Sequence, residues 1–293
     1  MNPRFKKSIK HVAIIYRSKN SKTRQTIKDI ESFLFQKNIA TKIFSQKDIS
    51  SKKVKGDLIL SLGGDGTYLK SIQSNPQMPI LGINMGSLGF LTPHEVERTL
   101  PILEKTLKGK MFSKKNYFLE TQIYKNQKKD FNPKDFLKTH KKPLKKFLGT
   151  NDIVIERGSF SHLISLSIYI NKQYIYSLKS DGLILSSPIG STAYNLAAGG
   201  PILHPENQSI VITPICSHSL TNRPIVINDK SQVILKIDKH KAFLTIDGEI
   251  KEKISSEKLL LIQKTKDFFT SLTEEQETEF PLLRKKLKFG QRN

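Results

Sequence analysis

The run from Asp57 to Leu62 is almost unbroken in apolar side chains and stops at Gly63-Gly64-Asp65-Gly66-Thr67. A short apolar run without polar alternation belongs to a strand buried on both faces, which requires a parallel sheet covered by helices. Pro79 to Asn84 repeats the arrangement and enters Gly86-Ser87-Leu88-Gly89-Phe90. Two glycine-rich loops at neighbouring strand ends imply one cleft at the carboxyl edge of a doubly wound α/β layer.

The flanking pattern agrees with that layer. His11 to Arg17 reads as a strand, and Thr23 to Lys37 as a helix with Ile27, Ile30, Phe33 and Leu34 on one face. Thr41 to Ser45 is a second strand, Tyr68 to Ser74 a short helix, and His94 to Lys108 a longer one carrying Val96, Leu100, Leu103 and Leu107. From Tyr117 the periodicity changes to two. Ile164 to Ile170 and Tyr174 to Leu178 flank Asn171-Lys172-Gln173 as a hairpin. Further strands are expected at Asp152 to Glu156, Gly182 to Ser186, Ser209 to Ile212, Pro224 to Asn228, Gln232 to Ile237, Ala242 to Ile246 and Leu259 to Gln263. The fold class is therefore an α/β N-terminal domain, 1–115, followed by a mostly β, β-sandwich-like C-terminal domain, 116–264. Polar, lysine-rich 126–147, with Pro133 and Pro143, is expected to be an exposed loop. The tail has an acidic run, Glu274 to Glu279, and then helix-compatible spacing from Phe280 to Phe289.

At 293 residues the chain has room for two modest domains. It has no apolar stretch of membrane-spanning length and no secretory h-region after its basic N-terminus, so a cytoplasmic protein without membrane contact is expected. A single cysteine, Cys216, excludes a disulfide framework, and its apolar neighbours suggest a quiet core thiol. Forty-nine Lys and Arg against 26 Asp and Glu give a net charge of +23, a field that draws in polyanions. The lysines lack the aromatic interleaving of a single-strand groove, so no specific nucleic-acid partner is expected.

Glycines at 63, 64 and 66, between a buried strand and a helix start, let backbone N–H groups face an anion without Cβ atoms in the way. Gly63, Gly64, Gly66 and Thr67 thus form a candidate phosphate cradle, while the Gly-Asp-Gly tripeptide alone is also ordinary turn chemistry. A carboxylate inside such a cradle is electrostatically unwelcome unless it binds a metal or accepts a proton, and this singles out Asp65 as a candidate catalytic residue. No G-x-x-x-x-G-K-[ST] loop is present, and Leu69 stands where a dinucleotide fingerprint needs its third glycine. A second constellation runs Lys179-Ser180-Asp181-Gly182, then Ser187 to Asn195, then Gly199-Gly200-Pro201. Gly190 and Ser191 could offer donors to a phosphate, with Ser191 or Thr192 capping a following helix.

In order, G-G-D-G-T at Gly63 to Thr67, Asn151-Asp152, Ser180 to Gly182, Ser187 to Tyr194 leading into Gly199 to Pro201, and Asp247-Gly248-Glu249 resemble the pattern of the NAD kinase family. The resemblance covers roughly Asp57 to Gly248, and its S-T-A-Y to G-G-P block is more specific than G-G-D-G-T, which lipid kinases share. It implies a Rossmann-like first domain completed by the tail 265–293, a β-rich NAD-binding second domain, and a homo-dimer or homo-tetramer. It further implies ATP-dependent phosphorylation of the adenosine ribose 2′-hydroxyl of NAD, giving NADP, with Asp65 as base and Gly66 beside it. Asn151 and Asp152 resemble the pair on the adenine-side hydroxyl and amine groups. His162 and Lys179 match positions near NAD; Asp181 and Thr192, Ala193, Tyr194, Asn195, Leu196 and Ala197 match nicotinamide and ribose contacts; Glu249 falls in the late motif. Three departures are Asp152 where the family usually has Glu, Glu249 where it usually has Gln, and a lysine-rich stretch before Leu148 longer than the common hairpin. A divalent ion, Mg²⁺, is expected to arrive with ATP, since no carboxylate cage is visible. A sugar hydroxyl is a far weaker acid than a carboxyl, so Asp65 is a late proton acceptor, and positioning and electrostatics supply most of the rate. A lipid kinase and a nucleic-acid-binding protein are the rival readings. NAD against NADH, and ATP against polyphosphate, stay open.

Overall fold

The computed structural model describes residues 3–49, 54–126, 131–136, 142–158, 162–274 and 279–288. The chain divides into two compact units, one of Met1–Asn116 with Phe268–Asn293 and one of Tyr117–Asp267.

The first unit opens with β1 (His11–Tyr16), α1 (Ser21–Phe35), β2 (Ala40–Ser45), β3 (Leu58–Leu62), α2 (Asp65–Ser74), β4 (Ile80–Asn84), β5 (His94–Glu95) and α3 (Thr99–Leu107). Its strands are parallel in the order β2-β1-β3-β4, with β5 beside β4. Every residue of β3 and β4 is buried, as their unbroken apolar runs require. Asn20 caps α1, its Oδ1 accepting from the Thr23 N–H at 2.8 Å, and the helix buries Ile27, Ile30 and Leu34 in a core with Leu58, Leu60, Leu81 and Ile83. The helix expected from His94 to Lys108 is shorter than its pattern. His94–Glu95 pairs with β4, Val96–Arg98 is a 3₁₀ turn, and α3 starts only at Thr99. Pro101 explains this, because a proline is tolerated in the first turn of a helix and breaks it further inside.

The second unit contains most of β6 (Phe112–Lys125), then β7 (Lys145–Gly149), β8 (Asp152–Glu156), β9 (Ile164–Ile170), β10 (Gln173–Ser180) and β11 (Gly182–Ser186). There follow the single turn α4 (Tyr194–Ala197), β12 (Ser209–Ile215), β13 (Ile225–Asn228), β14 (Val233–Lys239), β15 (Ala242–Ile246), β16 (Glu249–Ile254) and β17 (Lys258–Thr273). One antiparallel sheet runs β13-β12-β11-β8-β15-β16, and a second set runs β10-β9-β14-β17. Alternate residues of both meet in one core. Ile153, Ile155, Leu183, Leu185, Leu244 and Ile246 come from the first, and Leu166, Ile168, Leu235, Ile237, Leu260 and Ile262 from the second. Asn171 and Lys172, at φ 50° and 68°, form the two-residue turn that matches strand twist between β9 and β10.

Two expectations need correction here. Within 126–147, Phe136 is buried in an aromatic cluster, 5.0 Å from Tyr124 and 6.0 Å from Phe131 between ring centroids, and packs with Ile234, Leu259 and Leu261. Lys145–Gly149 is a strand paired with β6; residues 127–130 and 137–141 lie outside the described residues. Lysine-rich composition masked Phe136, whose burial, with half-buried Phe131 packed against it, folds this stretch. Cys216 is exposed, because the chain turns out of the sheet there with φ 44°.

The last part of β17 returns to the first unit, where Ser271 lies beside Ile80 and Leu272 joins the core. It leads toward α5 (Glu279–Leu287). Residues 275–278 of the acidic run, and Phe289, lie outside the described residues. Among the described residues no helix is long and apolar enough to cross a membrane.

Candidate functional site

In the first unit the Gly63 N–H donates to the Ile83 carbonyl at 3.0 Å, tying the end of β3 to β4. Gly64 then caps α2 and Asp65 is its first residue. Gly63 has a steric reason to be glycine, since a Cβ there would stand 2.3 Å from Thr67 Oγ1. At Gly64 and Gly66 a Cβ would meet nothing of the chain within 4 Å, so packing does not require glycine at either position.

The Asp65 carboxylate folds onto the second glycine loop. Oδ2 accepts from the Phe90 N–H at 2.9 Å, while Oδ1 accepts from the Leu91 N–H at 3.0 Å and the Thr92 hydroxyl at 3.2 Å. Gly89 makes this approach possible, because a Cβ there would lie 2.1 Å from Asp65 Oδ1 and 2.4 Å from Thr92 Oγ1. Asn84, at the end of β4, braces the same loop by accepting from the Gly86 N–H at 2.7 Å and donating to Ser87 O and Thr92 Oγ1. Lys286 of α5 brings its ammonium 3.6 Å from Asp65 Oδ2. Sequence reasoning missed Asn84, Gly89, Thr92 and Lys286. The shared strand-then-glycine pattern could have flagged the first three, whereas nothing local marks Lys286.

In the second unit Asp247 organises the site. With Gly248 it forms the turn between β15 and β16, both residues at positive φ. Its carboxylate accepts from the N–H groups of Thr150 at 2.8 Å, Asn151 at 2.7 Å and Asp152 at 3.2 Å. Asn151 also packs onto Gly190 so closely that a Cβ at Gly190 would lie 2.0 Å from the Asn151 carbonyl oxygen. Ser187 completes the junction, donating from its hydroxyl to Thr150 O at 2.7 Å and from its N–H to Asn151 O at 2.9 Å. Asp152 is 4% exposed, and its carboxyl is pushed up to about 7, by burial first and then by the Asp247 and Glu156 carboxylates. Glu249 begins β16 and pairs with Lys251.

Gly190 and Ser191, expected to offer donors to a phosphate, are both buried, and their donors are used inside the loop. The Gly190 N–H donates to Ser187 Oγ at 3.1 Å, and Ser191 donates to Pro188 O at 2.6 Å while accepting from the Leu203 N–H at 3.0 Å. Neither Ser191 nor Thr192 caps α4; Ala193 occupies that position without a side-chain bond, and Thr192 donates to Ile189 O. Asn195 is wholly buried, with its amide donating to Ser191 O and Pro201 O and accepting from Thr213. It fixes the loop rather than presenting a polar group.

Leu196 is half-buried, Ala197 exposed, and Tyr194 exposed, its hydroxyl raised by partial burial and then by the charges at Glu156, Cys216, Asp152 and Asp181. Asp181 pairs with Arg157 at 2.6 Å. His162 stacks on His240 with centroids 4.8 Å apart, and Lys179 is exposed on β10. His240, at φ 65° in the turn after β14, carried no sequence signal. Thus Asn151, Asp152, Ser187, Gly190 and Asp247 are joined by direct contacts, and Tyr194 feels the same charges.

A family model described as the ATP-NAD kinase N-terminal domain matches residues 8–111, and one described as the ATP-NAD kinase C-terminal domain matches residues 150–271. An NAD kinase of Bdellovibrio bacteriovorus is 35% identical over 295 residues, 96% of this chain and 93% of the relative. An NAD kinase of Caldanaerobacter subterraneus is 36% identical over 237 residues, covering 80% and 79%. Among solved structures, yeast NADH kinase complexed with NADH matches with a TM-score of 0.84 at 23% identity, over 98% of this chain and 90% of that one. An Archaeoglobus fulgidus NAD kinase in complex with ATP matches with a TM-score of 0.73 at 22% identity, over 95% and 98%. At these identities the two structures bear on the fold.

Proposed function

The chain belongs to the NAD kinase family, and from that premise we propose how its residues carry the ATP-dependent phosphorylation of NAD to NADP. Membership displaces the lipid-kinase and nucleic-acid readings. The donor's phosphates lie on the first N–H groups of α2, where Gly64 and Gly66 form the cradle and the helix adds its positive end. Gly63 and Thr67, expected to join it, build the turn instead, the Gly63 N–H donating to Ile83 O, the Thr67 N–H to Gly64 O and the buried Thr67 hydroxyl to Gln46 Oε1. Asp65 takes the proton of the adenosine ribose 2′-hydroxyl as the bond from that oxygen to the γ-phosphorus forms. The bond from the γ-phosphorus to the bridging oxygen breaks, and its electron pair leaves with ADP. Mg²⁺ belongs to the donor substrate, carried on its β- and γ-oxygens. Among the described residues no group of three or more His, Cys, Asp or Glu side chains is arranged to hold a metal ion.

The observation that carries the assignment is the setting of Asp65. Three donors hold its carboxylate from one side at 2.9, 3.0 and 3.2 Å. On either side of it in the chain stand Gly64 and Gly66, glycines that internal packing does not demand. A ligand approaching the backbone would demand them. An ionised carboxylate accepts about four hydrogen bonds, so three donors leave one lone pair for the hydroxyl proton.

On the acceptor side, Asn151 and Asp152 hold the adenosine hydroxyl and amine groups. His162, Lys179, Asp181, Glu249 and the segment Thr192, Ala193, Tyr194, Leu196 and Ala197 take the remainder of NAD, with Asn195 and Ser191 keeping that segment in shape. An Asp152 carboxyl titrating near 7 can donate or accept at neutral pH, which suits a group facing both a hydroxyl and an amine. The protein works as a homo-dimer or homo-tetramer in the cytoplasm, and its net charge of +23 speeds the arrival of anionic substrates.

Asp65→Asn is the direct test. It is nearly isosteric, keeps an oxygen to accept from the Leu91 N–H and the Thr92 hydroxyl, gives up the bond from the Phe90 N–H because an amide NH₂ only donates, and removes the base. NAD binding by calorimetry should therefore stay unchanged while turnover falls by about 10²–10⁴-fold. Turnover within threefold of the wild type would remove Asp65 from this role.

A further inference from the structure

The last turn of α5 carries Arg284, Lys285 and Lys286. Lys285 reaches Glu95 of β5 at 3.0 Å. Upstream, where β17 ends, Glu274 is gripped by Lys105 at 2.6 Å and Arg98 at 3.0 Å. One residue past Lys285 the helix delivers Lys286, whose ammonium lies 4.0 Å from the centroid of the Phe90 ring and 3.6 Å from Asp65 Oδ2. Phe90 is also the residue whose N–H holds that oxygen. At 3.6 Å the contact is an ion pair without hydrogen-bond geometry, so the three ammonium donors are not committed to Asp65.

Phosphoryl transfer depends on cations that follow negative charge on the transferring group. Nucleotide-binding loops of the G-x-x-x-x-G-K-[ST] type carry such a lysine inside the loop, and this chain has no such loop. An ammonium held permanently on the base would oppose its taking a proton. One that leaves for the phosphates as charge builds there would serve both partners. Lys286 has the required freedom, with a flexible four-carbon stem and a side chain 29% exposed, resting on an aromatic face that lets a cation slide.

Building on the assignment of Asp65 and the glycine cradle, we infer that Lys286 is the lysine that binds the donor's γ-phosphate, supplied by the C-terminal helix instead of by the loop. In this structure it stands on Asp65. With donor bound it moves to the γ-phosphoryl oxygens, which frees Asp65 to accept the 2′-hydroxyl proton.

Steady-state kinetics of the full chain, varying ATP and NAD separately, test this with Lys286→Gln, Lys286→Arg and Lys285→Ala, alongside calorimetric binding of ATP. NADP formation by the wild type first secures the activity; its absence would defeat the family reading and not merely this inference. Lys286→Gln should then lower kcat/KM for ATP by about 10–100-fold, less than the about 10²–10³-fold of a buried oxyanion donor because the site is partly wet. KM for NAD should not move, ATP binding should weaken in parallel, and Lys286→Arg should recover most of the loss. Lys285→Ala, which breaks only the pair with Glu95, should stay within about twofold. Any of three results overturns the inference: kcat/KM for ATP unchanged in Lys286→Gln, a KM for NAD that rises as much as the KM for ATP, or a loss in Lys285→Ala as deep as that in Lys286→Gln.

Discussion

Replacing Gly89 with alanine should disable Asp65 without altering it. The new Cβ would stand 2.1 Å from Asp65 Oδ1, where ordinary contact begins at 3.4 Å, so one of the two must yield by about 1.3 Å. Gly89 is not among the residues at positive φ, so alanine adds contact and no backbone strain. Thr92 Oγ1, hydrogen-bonded to that same oxygen, stands 2.4 Å from the new Cβ, so both partners of the bond are crowded and the carboxylate is pushed away. A displacement of that size takes the 3.0 Å and 3.2 Å bonds of Oδ1 out of range. Overpacking costs typically about 1–3 kcal/mol, and the partial exposure of the carboxylate lets water replace some of the lost bonds. The thermal midpoint should therefore fall by only a few degrees, at roughly 2–4 °C per kcal/mol for a protein of this size. Turnover should fall much further, because an error of about 1 Å in a reacting group costs on the order of 10²-fold. NADP formation and a thermal melt on the same preparation check both numbers. Turnover within threefold of the wild type, with the fold intact, would refute the claim that Gly89 exists to admit Asp65.

Gly64→Ala meets nothing in the chain, so its melting midpoint should match the wild type while KM for ATP rises at least about fivefold, as a Cβ intrudes on groups meant for phosphate; unchanged ATP kinetics would argue against the cradle. Asp152 provides a pH test. Its folded-state value of about 7 lies above the ordinary 3.8, so the unfolded chain releases this proton first, and the contribution to stability is lost as pH rises between those values. The slope approaches about 1.4 kcal/mol per pH unit, and Asp152→Asn should remove it. Urea unfolding of wild type and variant at pH 5, 6, 7 and 8 measures the difference, and parallel curves would contradict the raised value.

The doubly wound layer was readable because β3 and β4 carry unbroken apolar runs, which few other environments tolerate. The second unit was readable from alternation, as at Ile153 and Ile155 or Leu183 and Leu185. The start of α3 escaped because apolar spacing continues through His94 to Thr99 while Pro101 sets the boundary. Phe136 escaped because a window rich in lysine averages away one aromatic anchor. In the site, Asp65 was visible from its glycines, but its supports at Gly89, Thr92 and Lys286 were not, since each depends on a contact between segments distant in sequence. Gly190 and Ser191 show the reverse error. Small and hydroxylated residues suit a ligand, and they suit equally a tight loop that uses its own donors.

The tie from Asp247 to Asn151 and Asp152 spans 96 and 95 residues of chain. A polypeptide emerging from the ribosome makes the pair long before it makes the turn that holds it, and Lys286 comes later still. Until then the N–H groups of Thr150 to Asp152 lack their acceptor. A chain released early, or clipped ahead of Asp247, would carry the strand and the motif yet have no fixed geometry at the pair. The geometry of the Asn151–Asp152 pair is thus fixed only late in synthesis.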